Sequence, residues 1–354
     1  PALGAGPPQF LASDASRLGV TPGEVAALQA FKAPVLTAKA AALIDATTGA
    51  VLYSKNGEQR FAPASLTKMM TALVAIERGR LDQRLTATQQ VRSVEPVLIG
   101  LDPGEALALG DLLYGLLLWS GNDAAVCIAE GLGGSVGQFV TWMNEEAKAL
   151  GLRNTHFANP HGLDAPGHYS TAIDLARLAV AMMRQPTLAQ IAGTREYTIP
   201  GPPLYHFRNS NPLLGVYDGV IGGKTGLTDD CGRCFAVVAS RGGHTVAAVV
   251  LGSLDIARDG RVLLDYAFSS YEWVPASTLG PGRFGYQRDG QRGEARLDPG
   301  AAVAVFPWES RRARVRAVVD GAPAQASQAI GRVVFESAFR VLGSLPLFPA
   351  SRGP

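Results

Sequence analysis

The spacing of apolar and polar positions changes several times along the chain, and each change marks an element. Ala40-Ala41-Ala42-Leu43-Ile44-Asp45 and Ala50-Val51-Leu52-Tyr53 flank Ala46-Thr47-Thr48-Gly49, a turn closed by glycine, so residues 38–54 read as a β-hairpin. Pro63-Ala64-Ser65-Leu66-Thr67-Lys68 leads into Met69-Met70-Thr71-Ala72-Leu73-Val74-Ala75-Ile76, a largely buried helix opened by Pro63 and stopped at Gly79. Residues 110–131 form a second apolar helical region, interrupted at Ser120-Gly121-Asn122. Residues 138–150 and 171–184 are further helices, with Asn159-Pro160-His161-Gly162-Leu163 as loop between them. The pattern then turns to strands. Cys234–Ser240 and Thr245–Leu251 lie on either side of the hairpin turn Arg241-Gly242-Gly243-His244, and Ala257–Trp273 predicts a helix that packs back on them. Strands at both ends with helices between them predict an α/β sandwich: an antiparallel sheet flanked by helices, with a helical insertion.

After Pro275 the character changes. Gly and Pro separate short apolar runs such as Ala302-Val303-Ala304-Val305-Phe306 and Arg332-Val333-Val334-Phe335, which predicts a small all-β domain. The expected organisation is therefore an arm or linker over 1–33, with a short helix around Thr21–Phe31 capped by Thr21, then a larger domain over 34–274 and a β-rich domain over 275–354.

Composition narrows the class. With 47% hydrophobic and 18% charged residues in 354, the chain can bury a sizeable core and is not a disordered polymer. A net charge of +2 with scattered basic residues speaks against nucleic acid as a partner. The one dense basic cluster, Arg311-Arg312-Ala313-Arg314-Val315-Arg316, reads as the solvated side of a strand. No run of eighteen apolar residues would span a membrane. The chain opens at Pro1 without a charged and apolar leader, so any signal peptide is expected to have been removed or left out. Cys231 and Cys234 form a C-x-x-C that lacks a second ligand pair for zinc; a disulfide remains open, but Cys234 opens a strand, where a small apolar residue is ordinary. His156, His161 and His168 share no helix face and read as loop histidines rather than a metal site, so no metal and no cofactor is expected.

Three short patterns carry candidate chemistry. Ser65 and Lys68, three apart at a helix start, lie on one face; the helix N-terminus favours a serine oxyanion, and a buried lysine near another cation becomes a neutral base. Ser120 supplies a hydroxyl that can pass a proton, and Asn122 an amide that can bind a carbonyl or hold a lysine. Lys224 and Thr225 can hold a carboxylate, Gly226 lets a substrate lie against the strand, and the backbone N–H groups of Leu227 and Ser65 can form an oxyanion hole. Each pattern alone has an ordinary structural reading; the three in this order do not.

With these motifs the chain resembles the low-molecular-mass penicillin-binding proteins, the serine-type D-alanyl-D-alanine carboxypeptidases (peptidase S11-like). The likeness runs from about Ala40 to Trp273 and includes Trp119–Glu130, Met143–Leu163, Tyr169–Leu175, Asn211–Leu214 and Gly222–Thr228. It implies a penicillin-binding/β-lactamase-like domain followed by a small all-β domain. It implies that Ser65 attacks the carbonyl between two D-alanines of a peptidoglycan stem peptide, with Lys68 as base and Ser120 as proton shuttle. Asn122, Lys224, Thr225, Gly226 and Leu227 would bind substrate. β-Lactams would acylate Ser65, and the expected location is extracytoplasmic, in a periplasm or cell wall, either free or with peripheral membrane association through a segment not present here. Where some relatives carry a basic residue before the Asn211–Leu214 run, this chain has Ser210, with Arg208 two residues earlier. A β-lactamase is the nearest rival, but Glu145, Glu146 and Glu196 lack the setting of a deacylating base. A non-catalytic β-lactam-sensing or wall-binding module is the alternative from another class.

Overall fold

The computed structural model describes residues 33–288, 291–307, 309–310, 313–319, 328–337 and 340–350. The expected helix around Thr21–Phe31 and the arm over 1–33 lie almost wholly outside the described residues. Backbone contacts divide the chain into two compact units. One holds Val35–Leu43 with Ser54–Leu264, and the other holds Ile44–Tyr53 with the described residues from Asp265 onward.

The larger sheet has five strands: β1 (Ala40–Asp45), β2 (Val51–Lys55), β3 (Val220–Thr228), β4 (Gly232–Arg241) and β5 (His244–Ser253). Their order is β2-β1-β5-β4-β3, so strands from early and late in the chain meet in one sheet and β3 lies at its edge. The β3–β4 and β4–β5 pairs are antiparallel. β4 and β5 are buried along most of their length, which explains why their sequences are nearly continuous Ala/Val runs rather than alternating ones. The Gly242-Gly243 turn places both residues at positive φ, 56° and 82°, as a two-residue hairpin turn requires.

Helix α1 (Lys68–Arg78) buries all residues from Lys68 to Ala75, a core element rather than a surface one. The second apolar region begins as an α-turn at Leu109–Tyr114 and widens to a π-helix over Gly115–Trp119. It breaks at Ser120 (φ 77°) and resumes as α2 (Asn122–Gly133). α3 (Val136–Ala149) and α4 (Ala172–Arg184) begin at Ser135 and Thr171, whose side chains accept from the N–H groups of Gln138 and Asp174. α5 (Pro186–Gly193), with proline at its first position, was not among the expected elements. α6 covers Ile256–Ser270 and is shorter than expected: Glu272–Pro275 is a strand paired with Ala302–Val305, which removes Trp273 from the helix.

The second unit carries a sheet of strands Arg283–Arg288, Gln291–Arg296, Arg314–Val319, Gly331–Glu336 and Val341–Pro349. Its core includes Leu297, Val305, Val333, Phe335, Leu345 and Leu347. In the basic cluster, Arg314 and Arg316 are exposed while Ala313 and Val315 are half-buried, the alternation of a solvated strand face; Arg311 and Arg312 lie outside the described residues. Glu309 and Arg340 form a bidentate pair at 2.6 and 3.0 Å, with the guanidinium over the rings of Tyr271 and Phe306.

Candidate active site

The nucleophile region begins with a 3-10 turn, Ala64–Thr67, that runs into α1. The tighter turn stacks residues three apart, so Ser65 and Lys68 sit one above the other. Ala64 is held at φ 50°, a left-handed conformation unusual for a residue with a Cβ. Gly162 (φ 93°) explains how it is held: a Cβ there would fall 2.0 Å from the Ala64 carbonyl oxygen and 3.0 Å from the Ser65 nitrogen. On the other side, a Cβ on Gly226 would lie 3.0 Å from the Ser65 nitrogen. Two glycines thus let a loop and the edge strand press against the backbone that carries Ser65.

Lys68 is wholly buried. Its Nζ lies within hydrogen-bonding distance of Ser65 Oγ at 3.0 Å, and it donates to Asn122 Oδ1 at 2.6 Å and to the His161 carbonyl oxygen at 2.6 Å. Burial, reinforced by the charge of Lys224 and opposed by Asp123, holds its pKa well below that of an ordinary lysine. A neutral amine has two N–H donors and one lone pair. With Asn122 and His161 taking the donors, the lone pair faces the Ser65 hydroxyl, the geometry of a base.

Ser120 is buried, and its Oγ has no hydrogen-bond partner among the described residues. Asn122 reaches both ways, accepting from Lys68 and donating from Nδ2 to the Glu95 carbonyl at 2.7 Å. Lys224 is 1% exposed, and burial brings its pKa down to about 7; its Nζ donates to the Thr225 carbonyl at 2.9 Å. Thr225 Oγ1 and Ser210 Oγ are 2.7 Å apart, so the serine at the position that differs from some relatives touches the expected carboxylate clamp. Arg208, at the end of the strand Tyr205–Arg208, is exposed. Leu227 is exposed on β3, opposite Arg233. Ser65, Lys68 and Asn122 are therefore joined by direct hydrogen bonds and Gly226 by close approach. Ser120, Lys224, Thr225 and Leu227 lie on the flanking elements without a hydrogen bond to Ser65.

A cleft of about 860 Å³ adjoins this group, lined by Gln90, Glu95, Asn159, His161, Leu227 and Asp229 among others. The histidines have separate roles. His156 Nδ1 donates to the Gly167 carbonyl. His168 Nδ1 accepts from Ala158 N–H, so its Nε2 donates to Thr67 Oγ1 at 2.9 Å. His161 serves Lys68 through its backbone carbonyl, a contribution that residue type does not reveal. Burial lowers the pKa of His161 to about 3 and that of His168 to about 4, so both are neutral near pH 7. Among the described residues no group of three potential ligands is placed to hold a metal ion. Cys231 and Cys234, both buried, are joined in a disulfide, which corrects the reading of Cys234 as simply a small strand residue; Cys234 is the register partner of Gly226.

A serine bonded to a buried lysine under an antiparallel sheet, with a second buried lysine on the edge strand, defines a penicillin-binding/β-lactamase-type acyl-transfer enzyme. The profile of the D-alanyl-D-alanine carboxypeptidase family, Peptidase_S11, matches residues 27–254, and the chain belongs to that family. The D-alanyl-D-alanine carboxypeptidase DacF of Bacillus subtilis is 40% identical over 251 residues, covering 67% of this chain and 64% of that protein. DacC of Escherichia coli is 33% identical over 352 residues, covering 92% and 86%. Among solved structures, penicillin binding protein 5 of Haemophilus influenzae superposes with a TM-score of 0.74 at 27% identity, covering 90% of this chain and 98% of that one. A variant of a Streptomyces DD-transpeptidase gives 0.63 at 32%, covering 67% and 99%.

Proposed function

We propose that the chain is a serine D,D-carboxypeptidase that removes the terminal D-alanine from peptidoglycan stem peptides and is acylated by β-lactams. The observation that carries this reading is the wholly buried Lys68 amine, 3.0 Å from Ser65 Oγ, with its other two contacts already taken. Lys68 accepts the Ser65 proton as Oγ bonds to the carbonyl carbon between the two D-alanines. The N–H groups of Ser65 and Leu227 receive the oxyanion. The Lys224 ammonium and Thr225 hydroxyl hold the terminal carboxylate, and Gly226 admits the substrate against β3. As the C–N bond breaks, the proton passes by way of Lys68 and the unpartnered Ser120 hydroxyl to the departing D-alanine. Water then cleaves the ester and regenerates Ser65.

Residues 34–274 form the catalytic domain in this reading, and 275–354 a β-rich domain that holds it at its place of work. The Cys231–Cys234 disulfide supports an extracytoplasmic location, where such bonds persist. Intact-protein mass spectrometry after incubation with penicillin, with D-alanine release from a peptide ending in D-Ala-D-Ala, tests the reading. A lasting adduct on wild type, absent from Ser65→Ala, together with released D-alanine is the expected result. No adduct and rapid loss of the drug would make it a β-lactamase, and an adduct without D-alanine a sensor.

A further inference from the structure

Glu95–Leu101 carries neither helix nor strand, yet its backbone is tied throughout to the corner that presents Ser120 and Asn122. The Glu95 carbonyl accepts from Asn122 Nδ2 at 2.7 Å, the Val97 carbonyl from Asn122 N–H at 2.7 Å, and the Leu98 carbonyl from Trp119 Nε1 at 2.9 Å. The N–H groups of Ile99, Gly100 and Leu101 all donate to the Asp123 carboxylate, at 2.9, 2.8 and 3.0 Å. Ala124 N–H adds a fourth bond at 2.9 Å, so Asp123 caps its own helix only in passing. The Ile99 side chain closes the contact, since a Cβ on Gly121 would come within 2.7 Å of its Cγ2. Asp123 is 1% exposed and is in no ion pair among the described residues, so backbone N–H groups are its direct hydrogen-bond partners. A buried carboxylate is costly unless its acceptor sites are filled, and here the filling is done by the strap that holds Asn122.

We propose that Asp123 is a positioning residue for acylation: it gathers residues 99–101 so that the strap fixes Asn122, and through Asn122 Oδ1 the Lys68 amine, at reacting distance from Ser65. The inference rests on the reading of Ser65 as the acylated residue. Asp123 has a second effect through space. The groups facing the Lys68 amine are Ser65, Asn122 and the His161 carbonyl, with Lys224 on β3, the neutral His161 ring on its loop and Asp123 on α2 as the ionisable neighbours. Lys224 and burial favour the neutral amine, and Asp123 alone among the cited charges opposes them. Loss of the Asp123 charge thus leaves Lys68 neutral to lower pH while loosening the group that aims it.

The test is the rate of acylation by a fluorescent penicillin across pH, expressed per folded molecule from the saturating adduct in intact-mass spectra, with Tm measured alongside. Asp123→Asn presents an amide N–H₂ where a backbone donor needs an acceptor, and it is expected to slow acylation roughly tenfold to a hundredfold, the scale of a small misplacement of reacting groups. Its acidic limb should move to lower pH. Asp123→Glu keeps the charge, so its limb should stay near wild type while the plateau falls. Trp119→Phe removes only the tie to Leu98 and should slow acylation severalfold with the limb unmoved. Wild-type acylation per folded molecule in Asp123→Asn, with an unmoved limb, would overturn the proposal even if Tm fell. Should Asp123→Asn not fold, wild-type rates in both Asp123→Glu and Trp119→Phe would overturn it. An adduct that persists in Ser65→Ala would instead overturn the reading of the site beneath it.

Discussion

Two buried lysines carry the electrostatics of the site, and their charges must differ for it to work. In the proposed mechanism Lys68 acts as a base only when neutral, which burial and the neighbouring Lys224 favour. In the same mechanism Lys224 would hold a carboxylate only when charged, and its pKa of about 7 puts that charge at risk just above neutrality. The signs give a bell: kcat/KM should fall on the acidic side as Lys68 takes a proton, and on the alkaline side, beginning near pH 7, as Lys224 loses one. A bound carboxylate favours the ammonium, so the alkaline fall should be weaker in kcat than in kcat/KM. Lys224→Arg keeps its charge throughout and should flatten the alkaline limb while lowering the maximum, because a planar guanidinium does not fit a site built around an ammonium. An alkaline limb that survives in Lys224→Arg would assign it to another group.

Among elements, the loop Asn159-Pro160-His161-Gly162-Leu163 does more than its composition advertises. It offers Lys68 a carbonyl, and it backs the left-handed Ala64 with a glycine. Gly162→Ala should therefore cost on the order of 3 kcal/mol or more, combining left-handed strain with a backbone collision, and should slow acylation of the folded fraction. Gly167→Ala is the control: its φ is 78°, but its Cβ would meet nothing nearer than His156 Nδ1 at 3.8 Å. It should cost about 1 kcal/mol in thermal denaturation and leave acylation intact. Much at this scale was legible in the chain. The first hairpin, the break at Ser120-Gly121-Asn122 and the β4–β5 pair were written in turn residues and apolar runs. The end of α6 was not, because Glu272–Pro275 takes its form from Ala302–Val305, thirty residues on. Nor was α5, whose apolar spacing is short and has only Pro186 as a signal. In the site, side-chain types announced Ser65, Lys68 and Asn122. The burial of Lys68 was legible in its apolar helix, but the burial of Lys224, the turn at Ala64 and the His161 carbonyl did not show, since backbone angles and carbonyls leave no signature in residue type.

At the scale of the whole molecule, both units bury charged side chains. The second unit surrounds a charged pair: Glu309 and Arg340 expose 1% and 14% of their side chains, and Arg340 Nη1 finds no acceptor among the described residues. Removing one partner strands the other, so Arg340→Ala should lower the stability of that unit by about 3–5 kcal/mol. The double variant Glu309→Leu with Arg340→Met should recover much of the loss in the same denaturation experiment, because an apolar pair carries no desolvation penalty. Equal losses in the single and double variants would show that ring packing, not charge, holds the pair.

The edge strand β3 has a consequence for how copies of this chain treat one another. An open edge that admits a peptide substrate offers the same ladder to an identical edge, and two such edges can zip together into an assembly with no function. The register of β3 against β4 shifts between Val220 and Gly222, an irregularity of the kind that blunts an edge. An edge interrupted in this way is a poorer template for a second copy of β3 than for a short peptide.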